Sequence, residues 1–350
     1  MKAMSFNFHN IITLKIIKKE EKKLEKFFSH LDMEYDFFRI KNVKNPDITL
    51  IVGDFKPNNK NCKFIDHKFY VKKDYIYFKD SYKVAKWKTE ITGFETGKII
   101  IKVKSNLFGY LFFDGYILEF LIKYAMLQKG YCLIHAGGVS KNNKAFIFPA
   151  RGSAGKTTVS LHFIKNDYDF LGDDCIILGN NKLLSYPSFL HVFNYHLTRM
   201  PTYEENLTLV QKAIIKLKYL IFRASGGYAK FFTYLKFHDV FPQAKIAKKS
   251  RLKALFFLIK KTSGKLKINK VSKKEAAKSM FLNMRIESYP FNHYIEAYSY
   301  VFPQSKLSNF WNRFEKTISK YINVPCYKIE IVDFNDVSMK KILNFVERLK

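Results

Sequence analysis

The chain has 350 residues, of which 47% are hydrophobic and 17% aromatic, so it can bury a sizeable core and is not a mostly disordered chain. Its 61 Lys and Arg residues against 30 Asp and Glu give a formal net charge of +31, which would attract nucleic acid, anionic lipid or an acidic protein. The lysines are spread along the whole chain beside abundant Asn, Ile and Phe, a pattern that a background compositional bias explains equally well.

Targeting and disulfide signals are not apparent in this sequence. No apolar run reaches the roughly 18 residues that cross a bilayer, and Met1–Lys23 contains no apolar stretch followed by a cleavage site. The four cysteines, Cys62, Cys132, Cys175 and Cys326, lie far apart, without the paired spacing of zinc or redox sites. We therefore expect no transmembrane segment, and buried thiols in a reducing cytoplasm.

Residues 1–110 are predicted to form a β-rich N-terminal region. Short β-prone runs alternate there with turns that contain Asn, Asp, Lys and Pro, and we find no catalytic constellation among them. A short charged helix is expected around Glu20–Phe28. The predicted strands are Ile11–Ile17, Ile48–Val52, Phe69–Val71, Tyr75–Phe78 and Ile99–Val103.

Residues 111–350 are predicted to form one further domain, which begins with a helix and a β-hairpin. Apolar residues recur at helical spacing over Gly115–Gln128, and Gly130 is typical of a helix end. The hairpin consists of Tyr131–Val139, a turn at Lys141–Lys144, and the apolar strand Ala145–Pro149.

A loop of small residues follows that strand and has the pattern of a phosphate cradle. Backbone N–H groups can converge on a polyphosphate there, and the N-terminus of the next helix adds partial positive charge. Lys156 would reach the β- and γ-phosphates and the Thr157 hydroxyl would ligate Mg²⁺, although Ala150 stands where the usual pattern has glycine. The alternative is an ordinary glycine-containing turn. The predicted nucleotide-binding residues are Gly152, Ser153, Ala154, Gly155, Lys156, Thr157 and Thr158.

Two adjacent carboxylates, Asp173 and Asp174, come 17 and 18 positions after Lys156 and directly before a buried strand. In most P-loop ATPases the second acidic motif lies much further along and ends an apolar strand. Adjacent strand residues point to opposite faces, so a bend at Gly172 must turn both acids towards a metal. A solvated turn is the alternative interpretation, and His135 on the preceding hairpin could equally be an ordinary strand histidine.

A helical insertion is predicted at about 200–250. Its apolar residues have 3, 4, 3, 4 spacing, lysines lie off that stripe, and Gly226–Gly227 would end the helix. We favour a helical subdomain that packs on the core over a basic amphipathic helix on a membrane surface. The stripe consists of Leu207, Val210, Ile214, Leu217 and Ile221.

The C-terminal third returns to alternating strands and helices, which gives an α/β fold class with mixed α+β character. Ser272 and Glu275 form a capping box. The predicted elements are strands Leu252–Ile259, Lys265–Val271 and Cys326–Val332, and helices Lys273–Met284, Leu307–Tyr321 and one from Asp336 that buries Met339, Ile342, Val346 and Leu349.

Three segments together resemble the C-terminal domain of HPr kinase/phosphorylase, within the phosphoenolpyruvate carboxykinase superfamily. They are Ile134–Val139, Gly152–Thr157 and Gly172–Ile177. The resemblance is close over residues 131–190 and looser over 252–284. It implies a phosphoenolpyruvate carboxykinase-like P-loop core that binds ATP and Mg²⁺.

The resemblance also implies a role for each matching residue. Lys156 and the loop amides would hold the triphosphate, and Thr157 and Asp174 would coordinate Mg²⁺. Asp173 would take the proton of an acceptor hydroxyl, and His135 beside it would set its charge and orientation. A carboxylate near the γ-phosphate can orient the attacking hydroxyl in this way.

The chain also departs from that enzyme. The glycine-rich second signature is missing, Ser185–Leu190 stands in its place, and the N-terminal region is different. We therefore expect neither phosphorylase activity nor HPr as the substrate. The predicted function is a kinase that transfers the γ-phosphate of ATP, or of another donor, to a hydroxyl group of a protein, peptide or metabolite. A serine hydroxyl is the acceptor that we favour. The alternatives are an ATPase that drives a partner and a basic nucleotide- or nucleic-acid-binding protein. The acceptor and any homo-oligomer stay open.

Overall fold

The computed structural model describes residues 2–19, 25–152, 154–192, 194, 206–228 and 233–349. The chain has a mixed α/β fold and divides into two compact units. Unit 1 comprises Met1–Leu133 and Ala277–Tyr321, and unit 2 comprises Ile134–Ala276 and Ile322–Lys350. Among the described residues, no helix is both long and apolar enough to span a bilayer.

Unit 1 contains a nine-stranded mixed sheet in the order β3-β1-β2-β4-β9-β8-β7-β6-β5. Strands β2, β4 and β9 are parallel neighbours, and the remaining pairs are antiparallel. All five predicted strands are confirmed, and buried positions alternate along β2 and β4 as their sequences indicate. The strands are β1 (Lys2–Phe8), β2 (Ile12–Lys18), β3 (Arg39–Ile40), β4 (Ile48–Val52), β5 (Lys63–Ile65), β6 (Phe69–Lys72), β7 (Tyr75–Tyr82), β8 (Ala85–Thr92) and β9 (Ile99–Ser105).

The helices of unit 1 come from both ends of its sequence. The predicted helix at Gly115–Gln128 is confirmed as part of a longer helical segment that begins after Asn106, whose side chain caps it by accepting from the Gly109 N–H. The charged helix begins at Glu25, and residues 20–24 lie outside the described part. The helices are α1 (Glu25–Glu34), α2 (Leu107–Phe113), a short π-helix (Asp114–Leu118), α3 (Glu119–Gln128), and, further along the chain, α8 (Tyr289–Val301) and α9 (Phe310–Tyr321).

Aromatic stacking joins these two distant parts of the sequence within unit 1. Phe120 on α3 stacks on Phe291 of α8 with ring centroids 4.0 Å apart and meets Phe310 at 4.8 Å. Tyr294 stacks on Phe78 of β7 at 4.2 Å. Because these contacts join residues 107–128 and 277–321 to the N-terminal sheet, unit 1 extends to residue 133, whereas the sequence pattern predicts a boundary near 110.

Unit 2 contains a mixed sheet in which β14, β15, β18, β12, β11 and β13 lie side by side, and β20 also pairs with β18. Strands β12 and β20 run parallel to β18, and the β11–β12 hairpin is antiparallel as predicted. The strands are β11 (Ala136–Lys141), β12 (Lys144–Pro149), β13 (Asp169–Gly172), β14 (Ile176–Gly179), β15 (Lys182–Leu184), β16 (Leu190–Val192), β17 (Thr233–Leu235), β18 (Lys249–Lys260), β19 (Lys267–Val271) and β20 (Cys326–Ile331); β10 (Cys132–Ile134) lies at the boundary.

The core of unit 2 lies between this sheet and its helices. Phe148 of β12 stacks on Phe256 of β18, and Met339, Ile342 and Val346 of the last helix are buried, as predicted. Leu349, also predicted to face inwards, is partly buried against the same cluster. The helices are α4 (Lys156–Ile164), α5 (Leu209–Ala224), α6 (Phe237–Val240), α7 (Lys273–Glu287, across the unit boundary) and α10 (Asp336–Glu347).

Helix α5 ends as predicted at Gly226–Gly227, both of which have positive φ. Its packing differs from the predicted one. Ile215 is buried in the core cluster together with the preceding Leu207, but most of the apolar stripe is exposed. The expectation that the stripe faces the core is therefore wrong for Val210, Ile214, Leu217 and Ile221, because the helix is rotated so that Ile215 points inwards.

We expect Phe120→Ala to lower the free energy of unfolding by about 3–5 kcal/mol, because it removes a buried ring with three aromatic partners. Phe108→Ala is the matched control, since that ring is half exposed, and it should change the stability by less than about 1 kcal/mol. Urea unfolding of the purified chain measures both, and equal losses would contradict the packing described for α3.

Candidate functional site

The loop between β12 and α4 is built around a glycine that cannot be replaced without strain. Gly155 has φ 93°, and a Cβ there would lie 2.0 Å from the Phe334 ring. Within the loop, the Ala154 N–H donates to the Arg151 carbonyl at 3.1 Å, and Gly152 borders open space. Ser153 lies outside the described residues. The loop therefore makes a tight turn directly into α4, as a backbone that approaches a ligand closely requires.

Helix α4 begins with Lys156, Thr157 and Thr158, and Gly155 at its N-cap provides no side chain to cap it. The first N–H groups of a helix have no partner within the helix, and the helix dipole gives this end partial positive charge. An anion placed at this end would therefore meet N–H donors that have no partner within the helix. The Thr158 side chain is buried, whereas Thr157 is partly exposed.

The ammonium group of Lys156 is almost fully buried and lies between two acceptors. Its Nζ is 2.6 Å from His135 Nε2 and donates to the Ala150 carbonyl at 3.2 Å. An ammonium group can only donate, so this contact is a hydrogen bond when the imidazole carries its proton on Nδ1 and Nε2 is free to accept. The resemblance places His135 beside Asp173, whereas the hydrogen bond described for it here is with Lys156.

The acid pair lies in a bend between β13 and β14. At Gly172 a Cβ would come within 2.2 Å of the Cys175 carbonyl, so this turn also needs glycine. The Thr157 hydroxyl donates to Asp173 Oδ2 at 2.7 Å. Asp174 turns the other way, and its Oδ2 lies 2.8 Å from His191 Nδ1. The bend that we expected is present, but of the two acids only Asp173 contacts Thr157 in this structure.

Asp173 is 1% exposed, and its Oδ1 has no hydrogen-bond partner among the described residues. Burial and the negative charge of Asp174 raise its pKa to about 7, while the Thr157 hydrogen bond and the Lys156 charge oppose that rise. Two neighbouring carboxylates whose pKa values are pushed apart in this way share one proton near neutral pH.

Asp174 is held ionised by His191. Burial alone would raise the pKa of Asp174, but the charge and hydrogen bond of His191, with help from His135 and Lys156, hold it well below its usual range. The side chain is 28% exposed, so water screens part of this attraction. Sequence reasoning missed His191, because a single histidine on a short strand has no motif or spacing that marks it.

The donor set of this site fits a magnesium–polyphosphate complex. Among the described residues, no group of three or more His, Cys, Asp and Glu side chains is arranged to hold a metal ion. Mg²⁺ usually binds one or two carboxylates and takes its remaining ligands from phosphates and water, so such a group is not needed. Suitable oxygens are those of the Thr157 hydroxyl and of the two carboxylates. One of them, Asp173 Oδ1, has no hydrogen-bond partner among the described residues.

Comparisons with known proteins give a distant structural similarity. No protein-family model and no curated protein matches the chain. Among solved structures, the HPr(Ser) kinase/phosphatase from Coxiella burnetii is similar with a TM-score of 0.30 and 8% identity, covering 62% of this chain and 97% of that chain. A TM-score of this size does not establish a common fold. The roles assigned to the site residues therefore stay predictions.

We expect Gly155→Ala to lower the free energy of unfolding by at least about 1–3 kcal/mol, because alanine is strained at this φ and its Cβ would overlap the Phe334 ring. Gly152→Ala is the matched control, since its Cβ would meet open space and its φ is not positive, and it should be nearly neutral. Urea unfolding measures both; an unaffected Gly155→Ala protein would contradict the loop conformation.

The buried acid should also make the stability of the ligand-free protein depend on pH. The pKa of Asp173 is about 7 in the folded chain against a reference of 3.8, so the folded state holds one more proton than the unfolded state in that interval. The contribution of Asp173 is therefore complete below about pH 4 and is lost as the pH rises through about 7.

Asp173→Asn removes this titration, so we expect the variant to lose part of the decline in the free energy of unfolding between these pH values. Asp169→Asn, at the start of β13, the strand that ends directly before Asp173, makes the same change of charge and is the control. Urea unfolding across the pH range measures this. If wild type and Asp173→Asn had the same slope, the carboxyl group of Asp173 would not be held protonated.

Proposed function

We propose that the chain is an ATP- and Mg²⁺-dependent kinase with a phosphoenolpyruvate carboxykinase-like P-loop core. The kinase would transfer the γ-phosphate to an alcohol, and a serine hydroxyl is the preferred candidate. One observation carries the proposal: the hydroxyl of Thr157, at the uncapped start of α4, donates to a buried carboxyl group at 2.7 Å, next to a buried lysine. A hydroxyl, a carboxylate and a lysine beside helix amides are the groups that phosphoryl transfer needs.

Nucleotide binding would use the positive groups of the loop. The amides around Gly152, Ala154 and Gly155 and the first turn of α4 at Thr158 would surround the phosphates, and Lys156 would exchange its two acceptors for phosphate oxygens. His135 Nε2 would then be left without its lysine partner beside the carboxyl pair. This exchange keeps the ammonium group hydrogen-bonded in both states.

The metal and the acceptor would use the other side of the site. Thr157 and Asp174 would hold Mg²⁺, which neutralises phosphate charge when bound. Asp173 would accept the proton of the acceptor hydroxyl. Its raised pKa suits this role, because a general base works best with a pKa near the operating pH. His191 would act as a positioning residue that keeps Asp174 ionised and holds its Oδ2.

The acceptor is proposed only as a class, a hydroxyl compound that could be a protein, a peptide or a metabolite. No feature of the described residues selects among these three. The donor is a nucleoside triphosphate or a similar polyphosphate, since the loop groups recognise phosphate and not the base. Incubating a cell extract with the purified chain, Mg²⁺ and γ-labelled ATP would identify the acceptor as the species that gains label.

Two variants test the kinase proposal. Lys156→Ala should abolish both nucleotide binding and label transfer, whereas Asp173→Asn should retain binding and lose transfer by at least about a hundredfold, because it removes only the base. Lys165→Ala, at the C-cap of the same helix, has the same change in charge and should behave as wild type. Binding by calorimetry and transfer of the γ-label are measured separately on folded protein.

Other outcomes would point to the alternatives. Hydrolysis of ATP that needs no acceptor, and that Asp173→Asn abolishes, would replace the kinase with an ATPase. Salt-sensitive binding to DNA or RNA that survives Lys156→Ala, in a protein that ignores Mg·ATP, would indicate a nucleic-acid-binding protein.

A further inference from the structure

Helix α5 exposes its apolar side. Leu209, Leu217 and Leu220 are 83%, 59% and 61% exposed. At about 100° per residue, the exposed aliphatic side chains of this helix fall within an arc of about 140°, wide enough for a continuous apolar face. The residues of this face, which we call the outer face, are Leu209, Val210, Ala213, Ile214, Leu217, Leu220, Ile221 and Ala224.

The opposite side attaches the helix to unit 2. Ile215 is 1% exposed and belongs to the core cluster, while Gln211 and Phe222, on the same side, are half-buried. A capping box between Thr208 and Gln211 fixes the start of the helix. The helix is thus held by one side, and its outer face is not directed towards the core.

Basic residues border the outer face on both sides. Lys212, Lys216 and Arg223 follow one edge of the arc and Lys218 lies at the other, and the 16 residues of α5 include no Asp or Glu. The stems of long basic side chains can lie along an apolar surface while the charges reach outwards. An apolar face with cations at its edges is the arrangement of helices that lie in a membrane interface.

We propose that α5 is a membrane-contact helix, which inserts its outer face into the headgroup region of an anionic lipid bilayer. The inserted leucines and isoleucines leave water, and the four cations meet lipid phosphates. The proposal is independent of the kinase activity. It also reverses the interpretation that the sequence favoured, because the apolar stripe points away from the core.

Charge selects the lipid surface over a second copy of the chain. Two copies joined through this face would bring together two helices that contain four basic residues each and no Asp or Glu, in chains that each have a formal net charge of +31. An anionic bilayer supplies the opposite charge over the same area. Like charges brought together at an interface oppose association, whereas complementary ones favour it.

Vesicle flotation tests the proposal with the full chain and two lipid mixtures, phosphatidylcholine alone and phosphatidylcholine with phosphatidylglycerol. We expect binding to the anionic vesicles and weak or no binding to the neutral ones. The double variant Leu217→Ser/Leu220→Ser, which keeps every charge, should bind anionic vesicles at least about tenfold more weakly. Its matched control is Leu282→Ser/Val337→Ser, which changes two exposed apolar residues elsewhere and should bind as wild type.

A second pair of variants tests the charges. Lys212→Gln/Lys216→Gln should weaken binding to anionic vesicles about tenfold. Lys340→Gln/Lys341→Gln, which removes two exposed lysines from α10, has the same net charge and should have a much smaller effect. Thermal melting of each variant checks that the fold is retained.

Three results would overturn the proposal. Wild-type protein that binds neither vesicle has no membrane contact. Equal binding by wild type and Leu217→Ser/Leu220→Ser would mean that the net charge alone attracts lipid. Loss of a dimer in Leu217→Ser/Leu220→Ser, measured by light scattering with unchanged vesicle binding, would assign the outer face to a second copy of the chain.

Discussion

The burial of the Asp173 carboxyl group is the constraint on which the candidate site depends. A carboxylate that is 1% exposed and next to a second carboxylate cannot keep its charge without strong compensation, so it holds a proton unless positive groups approach. Thr157 and Lys156 provide part of that compensation, and Asp174 is kept ionised by His191 instead. The charge of an ionised Asp173 is therefore only partly compensated by these neighbours. A bound cation, or a proton on Asp173 itself, would complete the compensation.

The two turns that carry the site residues are tightly packed. Gly155 lies against the Phe334 ring and Gly172 against the Cys175 carbonyl, so both turns that carry the site residues are fixed by contacts that leave no room for a side chain. Strand β12 pairs with β11 on one side and β18 on the other, and the loop begins directly after its C-terminal end. These two turns bring Thr157 and Asp173 into hydrogen-bond contact at 2.7 Å without a ligand.

Helix α5 shows how one sequence pattern can have two structural meanings. Its spacing of apolar residues specifies an amphipathic helix in either case, and the capping box and the two glycines set its ends. The side on which Ile215 docks decides whether the stripe is part of the core or part of the surface. Because the basic residues flank the exposed side, the orientation of this helix converts a packing element into a candidate contact with anionic lipid.

The sequence by itself determined the features that depend on neighbouring residues: the alternating strands of unit 1, the hairpin, the small-residue loop, the start of α4 and the ends of α5, since turns, caps and periodicity act over a few residues. The tertiary structure alone decided which acid contacts Thr157, the pairing of Asp174 with His191, the direction of the α5 stripe and the packing of 277–321 on the N-terminal sheet. These depend on contacts between segments far apart in the chain, such as Phe120 with Phe291, and no local pattern encodes where such segments meet.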